Sequence, residues 1–152
     1  MTRLSNYLPA SDRKAYVQKH LTCGRVLYLF CRFTTPPKLK YLALVCRPVD
    51  GPCLIFTVNS EIGSWAADRA WIRSCQVRMC SSDYGFLAHD SYINCAEVHR
   101  LRQDEIETQL MADTAKIKGE LMPQTRAAVV EAVAKATTVS KRHRDAIMAS
   151  LS

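Results

Sequence analysis

No apolar run in this 152-residue chain approaches the roughly 18 residues needed to cross a bilayer as a helix, so no membrane partner is expected. Residues 1–19 are too polar for the hydrophobic stretch of a secretory signal. Close cysteine pairs are missing too. The nearest approach, Cys75-x4-Cys80, has no second pair at a matching distance, which argues against a zinc site. No internal repeat and no low-complexity linker interrupts the chain. These absences predict a cytoplasmic protein in a reducing compartment. Its seven cysteines (Cys23, Cys31, Cys46, Cys53, Cys75, Cys80 and Cys95) are expected as free thiols, mostly packed among Leu, Val, Ile and Phe as small hydrophobes. None lies in a recognisable nucleophile setting, which leaves a thiol enzyme with little support.

What is present is a chain with 48% hydrophobic residues, enough for a real core. The formal net charge of +7 favours an anionic partner such as nucleic acid.

Ser11 and Asp12 are candidate caps for a short helix ending before Gly24, with Ala15, Val17 and Leu21 as its apolar positions. Residues 25–33, rich in β-branched and aromatic side chains, read as a strand buried on both faces. Pro36 and Pro37 break it. Residues 41–46 and 53–58 read as an antiparallel hairpin around the Pro-Val-Asp-Gly-Pro turn. A loop or single helical turn capped by Ser64 precedes expected strands over 71–79 and 91–98, with a turn at 83–85. After Leu101 the pattern becomes helical: 102–118 with acidic residues in its opening turns, a helix opened by Pro123 with a Val129, Val130, Val133 stripe, and a last helix over 140–151. The expectation is an α+β chain with a mainly β core, a small SH3-like barrel of five or more strands, an N-terminal helix and C-terminal helices. Its expected parts are an N-terminal helical extension (1–23), the barrel with its following helix (24–118) and a C-terminal helical extension (119–152).

The order of the elements carries a resemblance. It runs Gly24-Arg-Val-Leu-Tyr-Leu, Leu42-Ala-Leu-Val45, Phe56-Thr-Val-Asn-Ser-Glu-Ile62, Val77-Arg-Met79, Gly85-Phe-Leu-Ala-His-Asp-Ser-Tyr-Ile93 and Val98-His-Arg-Leu101, then a helix. This resembles the PemK/MazF family of toxin endoribonucleases, with a Gly-Asp-Ile/Val strand, an Arg-Pro-Ala-Leu-Val strand, a Thr-containing turn and a Gly-Leu-x-x-Asp-Ser-Val-Ile segment. The likeness covers roughly residues 24–118 and is best over 85–93. It implies an SH3-like barrel, often paired as a homodimer and neutralised by a cognate antitoxin. It also implies cleavage of single-stranded RNA without metal or other cofactor. In that chemistry the ribose 2′-OH attacks the adjacent phosphate, leaving a 2′,3′-cyclic phosphate and a 5′-OH.

The family's catalytic arginine and threonine positions read Tyr41 and Asn59 here, or Ser60 if the register slips by one. Lys40, one residue before Tyr41, is the candidate for the positive charge, although a one-residue step along a strand changes faces. Asn59 and Ser60 are candidate phosphate ligands. His89, in the turn before Asp90-Ser91, is the candidate acid or base. Asp90 reads as a turn-fixing group. Arg32, Lys38, Tyr41, Arg47, Trp65 and Arg73 are candidate RNA contacts, cations interleaved with stacking rings. Trp71 reads as core, and Lys141 to Arg144 as an exposed basic face. The alternative, from a different class, is the same barrel without catalysis: a nucleic-acid- or protein-binding regulatory module from a phage or plasmid.

Overall fold

Strand β1 (Arg25–Cys31), β2 (Lys38–Cys46) and β3 (Cys53–Asn59) are built from the most apolar, β-branched parts of the sequence, and they pair as one antiparallel meander. The computed structural model describes residues 9–152, without the side chains of Ser64 and Trp65. The remaining elements are α1 (Ala10–His20), α2 (Ser64–Ala67), α3 (Ala70–Arg73), β4 (Gln76–Met79), β5 (Ser91–Asn94), β6 (His99–Leu101), α4 (Gln103–Ala112), β7 (Ile117–Glu120), α5 (Pro123–Lys135) and α6 (Lys141–Leu151). The fold is mixed α and β and mainly sheet. Seven antiparallel strands form a curled half-barrel in the order β4-β5-β3-β2-β1-β7, with β6 also on β3. No helix among the described residues is long and apolar enough to cross a membrane.

Strand alternation divides the core in two. Leu27, Leu29, Cys31, Leu42, Leu44, Cys53 and Ile55 turn to one face, where Val17 of α1, Leu21 just after it, and Ile106 and Leu110 of α4 cover them. Val26, Ala43, Leu54, Phe56 and Val58 turn to the other, under Val129 and Val133 of α5 and Ile147 and Leu151 of α6. The helical segments at both ends of the chain therefore supply core to the sheet. The expectation that the first strand is buried on both faces holds for Val26, Leu27 and Leu29, but Tyr28 is only half-buried and Phe30 stays 43% exposed.

Three elements differ from the sequence reading. The expected strand over 71–79 is half helix: Ile72 N–H and Arg73 N–H donate to Arg69 O at 3.1 and 2.9 Å, and only Gln76 onward joins the sheet. That turn buries Ile72 and leaves Trp71 46% exposed, so Trp71 is not the core residue it reads as. The strand over 91–98 is cut after Asn94, whose Oδ1 accepts from Ala96 N–H at 3.2 Å in an Asx-type turn. The long helix over 102–118 ends at Ala112. The Asp113 side chain accepts from Ala115 N–H at 3.0 Å, and the chain then pairs with β1 as β7. At the other end, Ser11 and Asp12 fall inside α1, whose cap position is Pro9.

Candidate functional site

A cleft of about 1060 Å³ opens where β2 begins and β3 ends, walled by the 87–91 segment, by β5 with its following turn, and by the chain around α2 and α3. All four candidate catalytic residues line it: Lys40, Asn59, Ser60 and His89, together with Lys38 and Tyr41. These come from three separate stretches of sequence. The fold brings them to one opening because β2 and β3 pair with Tyr41 opposite Val58, which sets Lys40 beside Asn59.

The alternation of β2 is unbroken here. Leu29 pairs with Lys40 and Tyr28 with Tyr41, so Lys40 and Tyr41 point to opposite faces of the strand end. On one face the Lys40 ammonium donates to Asn59 Oδ1, and Asn59 Nδ2 donates to Thr57 Oγ1 at 3.3 Å. Burial, reinforced by the charge of Lys38, lowers the Lys40 pKa. On the other face the Tyr41 ring lies 4.7 Å from Tyr28 and 5.5 Å from Phe86, centroid to centroid. Its O–H donates to Phe86 O at 3.0 Å. Burial, with Tyr28 adding to it, raises the Tyr41 pKa, so this phenol is held neutral. Lys118 Nζ stands 5.8 Å from the Tyr28 centroid.

His89 is exposed at the cleft wall, and its backbone carbonyl accepts from Ser91 Oγ at 3.1 Å. Asp90 takes the turn-fixing role. It accepts from Ser81 N–H at 2.8 Å, Ser81 Oγ at 3.1 Å and Arg78 Nη2 at 2.5 Å. The Ser81 backbone bond first, and then Arg78, hold its carboxyl down to about 2. This clamp leaves Asp90 a poor proton acceptor near neutral pH and positions His89 beside it.

The cationic candidates divide. Lys38 lines the cleft; Arg32, Arg47 and Arg73 do not. Arg47 is a structural tie: it donates to Leu21 O at 2.8 Å and to Gln18 Oε1, with Glu107 3.8 Å away, fastening α1 and α4 to β2. Arg73 donates to Ala67 O at 2.9 Å. Arg32 is exposed in the turn after β1. The Trp65 side chain lies outside the described residues. All seven cysteines are free thiols; burial pushes Cys31 and Cys53 up to about 11 and raises Cys75 and Cys95 as well. Protonated thiols of this kind are weak nucleophiles. Among the described residues no group of three or more His, Cys, Asp or Glu side chains is placed to hold a metal ion.

Several groups at the cleft were not legible from the sequence. Gln76 and Asn94 face it from β4 and β5, and Glu61 and Glu97 reach its rim. His99, stacked on Phe33 at 4.1 Å, sits 3.8 Å from Glu97 Oε1. Burial lowers its pKa, Glu97 opposes this, and the Lys40 charge adds to it. The Glu97-x-His99 spacing was the only sequence signal for that pair; the Gln76–Asn94 pairing carries none, because it depends on the β4–β5 register. Comparison with protein-family models finds no match to this chain, and comparison with curated proteins finds none either.

Proposed function

We propose that the protein is a PemK/MazF-like endoribonuclease that takes single-stranded RNA in this cleft and cleaves it by 2′-OH attack. The observation that carries the reading is the convergence of Lys40, Asn59, Ser60 and His89 on one opening. On this reading His89 takes the proton of the ribose 2′-OH. The O2′–P bond forms as the P–O5′ bond breaks, giving a 2′,3′-cyclic phosphate and a 5′-OH. The Lys40 ammonium, oriented by Asn59, balances the charge of the phosphorane. Its lowered pKa suits it to return a proton to the departing O5′. Tyr41 and Tyr28 supply stacking faces for flanking bases. The same reading gives the chain a cognate antitoxin as protein partner and a homodimer as its assembly.

The test is incubation of purified protein with a long single-stranded RNA in EDTA, followed by mapping of the ends. Discrete cuts with cyclic-phosphate termini, lost in Lys40→Met, are the expected result. Intact RNA overturns the cleavage.

A second reading keeps the ligand and drops the chemistry: a single-strand-binding regulatory module. It is favoured by one feature, the placement of Lys40 and Tyr41 on opposite faces, which splits the cation from the position the family's arginine occupies. On that reading RNA survives but binds, with an affinity that falls steeply with salt.

A further inference from the structure

The face that carries Lys40 and Asn59 continues across the sheet. Asn59 pairs with Tyr92, Tyr92 with Arg78, and one row further on Asn94 pairs with Gln76. The last pair is unusual in being two facing amides. Gln76 Nε2 donates to Asn94 Oδ1 at 2.9 Å and also contacts Ile72 O at 3.3 Å, while Asn94 Oδ1 further accepts from Ala96 N–H at 3.2 Å. These bonds fix both side chains. They use the Gln76 amino group and the Asn94 carbonyl. Among the described residues, nothing takes the Gln76 Oε1 acceptor or the Asn94 Nδ2 donor, although both side chains are only half-exposed and line the cleft.

A locked acceptor beside a locked donor is the complement of a nucleobase edge, where a donor and an acceptor also stand side by side. The surroundings fit a flat ring: Ile72, Ala66 and Leu87 line the same cleft. The position fits as well. Asn94 lies two strands across and two residues along from Lys40, about 12 Å at the usual strand spacing and rise, so a phosphate held at Lys40 and a base held at Asn94 lie on one sheet face. Glu97, three residues beyond Asn94 on the cleft rim, adds acceptor oxygens. Carboxylates favour a base with an exocyclic amino group and disfavour uracil, whose edge has one donor between two acceptors.

We propose that Gln76, Asn94 and Glu97 form a base-reading subsite that takes an amino-bearing base, adenine, cytosine or guanine, in preference to uracil, the two amides holding the base edge and the Glu97 carboxylate setting the preference. The proposal rests on the reading of the cleft as a single-stranded RNA site and adds the residues that give it base preference. A substitution that keeps the shape but removes the polar edge tests it. Gln76→Met leaves the Asn94–Ala96 turn intact, so the β5–β6 connection is preserved.

The experiment is fluorescence anisotropy at low salt with labelled 2′-O-methyl decamers of A, C and U, which 2′-OH chemistry cannot cut. For the wild type, oligo(A) and oligo(C) are expected to bind about tenfold more tightly than oligo(U), the discrimination of one good two-bond contact. Gln76→Met, shown by circular dichroism to be folded, should weaken all three decamers, whereas Glu97→Gln should reduce that ratio to near one by weakening oligo(A) and oligo(C) without weakening oligo(U). Equal binding of all three by the wild type overturns the subsite and leaves the RNA cleft standing. So does a preference that Glu97→Gln does not change, or binding of all three that Gln76→Met does not weaken. No binding of any decamer at low salt overturns the RNA reading, and the subsite with it.

Discussion

Gly24→Ala tests how the C-terminal helices are tied to the start of the sheet. Gly24 has φ +94°, a conformation that costs an L side chain about 1–2 kcal/mol. Its backbone is held at both ends: N–H donates to Leu44 O at 2.7 Å, and Leu121 N–H donates to its carbonyl, also at 2.7 Å. The loop therefore cannot relax to negative φ without breaking sheet contacts. A Cβ at this position would fall on the Arg126 guanidinium, with Cζ at 3.3 Å. That group ends a flexible side chain and can swing away, so the clash itself is relieved cheaply. What is lost is its bond to Cys23 O at 2.9 Å and the longer one to Leu151 O at 3.3 Å, together about 2 kcal/mol for part-buried charge-assisted bonds. The sum is about 3–4 kcal/mol, or a melting temperature lower by roughly 10 °C for a chain of this size. The assay is denaturant unfolding of Gly24→Ala, Arg126→Ala and the double variant. In the Arg126→Ala background the glycine substitution should cost only its backbone share, so the two effects fall short of additivity by about 2 kcal/mol. Full additivity refutes the role given to Arg126, and a neutral Gly24→Ala refutes the whole account.

Three further outcomes follow from other contacts. The Gln109 amide accepts from Phe30 N–H at 2.8 Å and donates to Phe30 O at 3.1 Å, standing in for a neighbouring strand on the β1 edge beyond β7. Gln109→Leu should lower stability by about 1 kcal/mol and speed amide exchange at Phe30, read by hydrogen exchange. Arg47→Ala should destabilise by about 2 kcal/mol in urea titration while leaving the proposed binding of single-stranded RNA unchanged, because its partners are Leu21, Gln18 and Glu107; a large drop in that binding would return it to the proposed RNA contacts. Burial holds the pKa of both His99 and His20 below the usual 6.5, so the unfolded chain takes up more protons as pH drops past 6.5. Their stabilising contribution is complete above that pH and is lost as pH falls toward the folded values. Thermal melts from pH 7.5 to 5.5 should show a decline that is shallower in His99→Gln.

The hairpin of β2 and β3 was legible because Pro48, Gly51 and Pro52 punctuate two runs too apolar to be anything but buried. The Pro123 helix start was legible for a local reason as well, since proline suits a first turn; the Ser140 cap, whose Oγ accepts from His143 N–H at 3.3 Å, was not singled out. The misreadings share a cause. Residues 71–75 contain the β-formers Trp71 and Ile72, but Arg69 carbonyl bonds close a helical turn that buries Ile72 and leaves Trp71 out. Residues 117–120 continue a helical pattern in sequence and become a strand because the free edge of β1 is there to pair with them. At the cleft, the candidates Lys40, Asn59, Ser60 and His89 were found from motif positions. Arg47 was misplaced because a cation's partner on another element, here α1 and α4, leaves no trace in a linear sequence.

The cleft itself follows from a change of partner along β3. Its first residues pair with β6, Cys53 with Leu101 through Ile55 with His99, while its last two, Val58 and Asn59, pair with β5. Phe56 and Thr57 face neither strand on that side, because the Asx turn after Asn94 takes residues 95–98 out of the ladder. Phe56 is apolar and fills the core on one face. On the opposite face Thr57 sits next to Asn59 and receives its amide. A chain that stayed paired through residues 95–98 would have closed this edge of β3. The parted sheet instead leaves Asn59, Asn94 and Gln76 lining an open cleft. Polar side chains in the middle of a sheet are otherwise unfavourable, and they are retained most readily where a ligand can meet them. The turn that the sequence reading missed is therefore the one that opens the site the sequence reading pointed to.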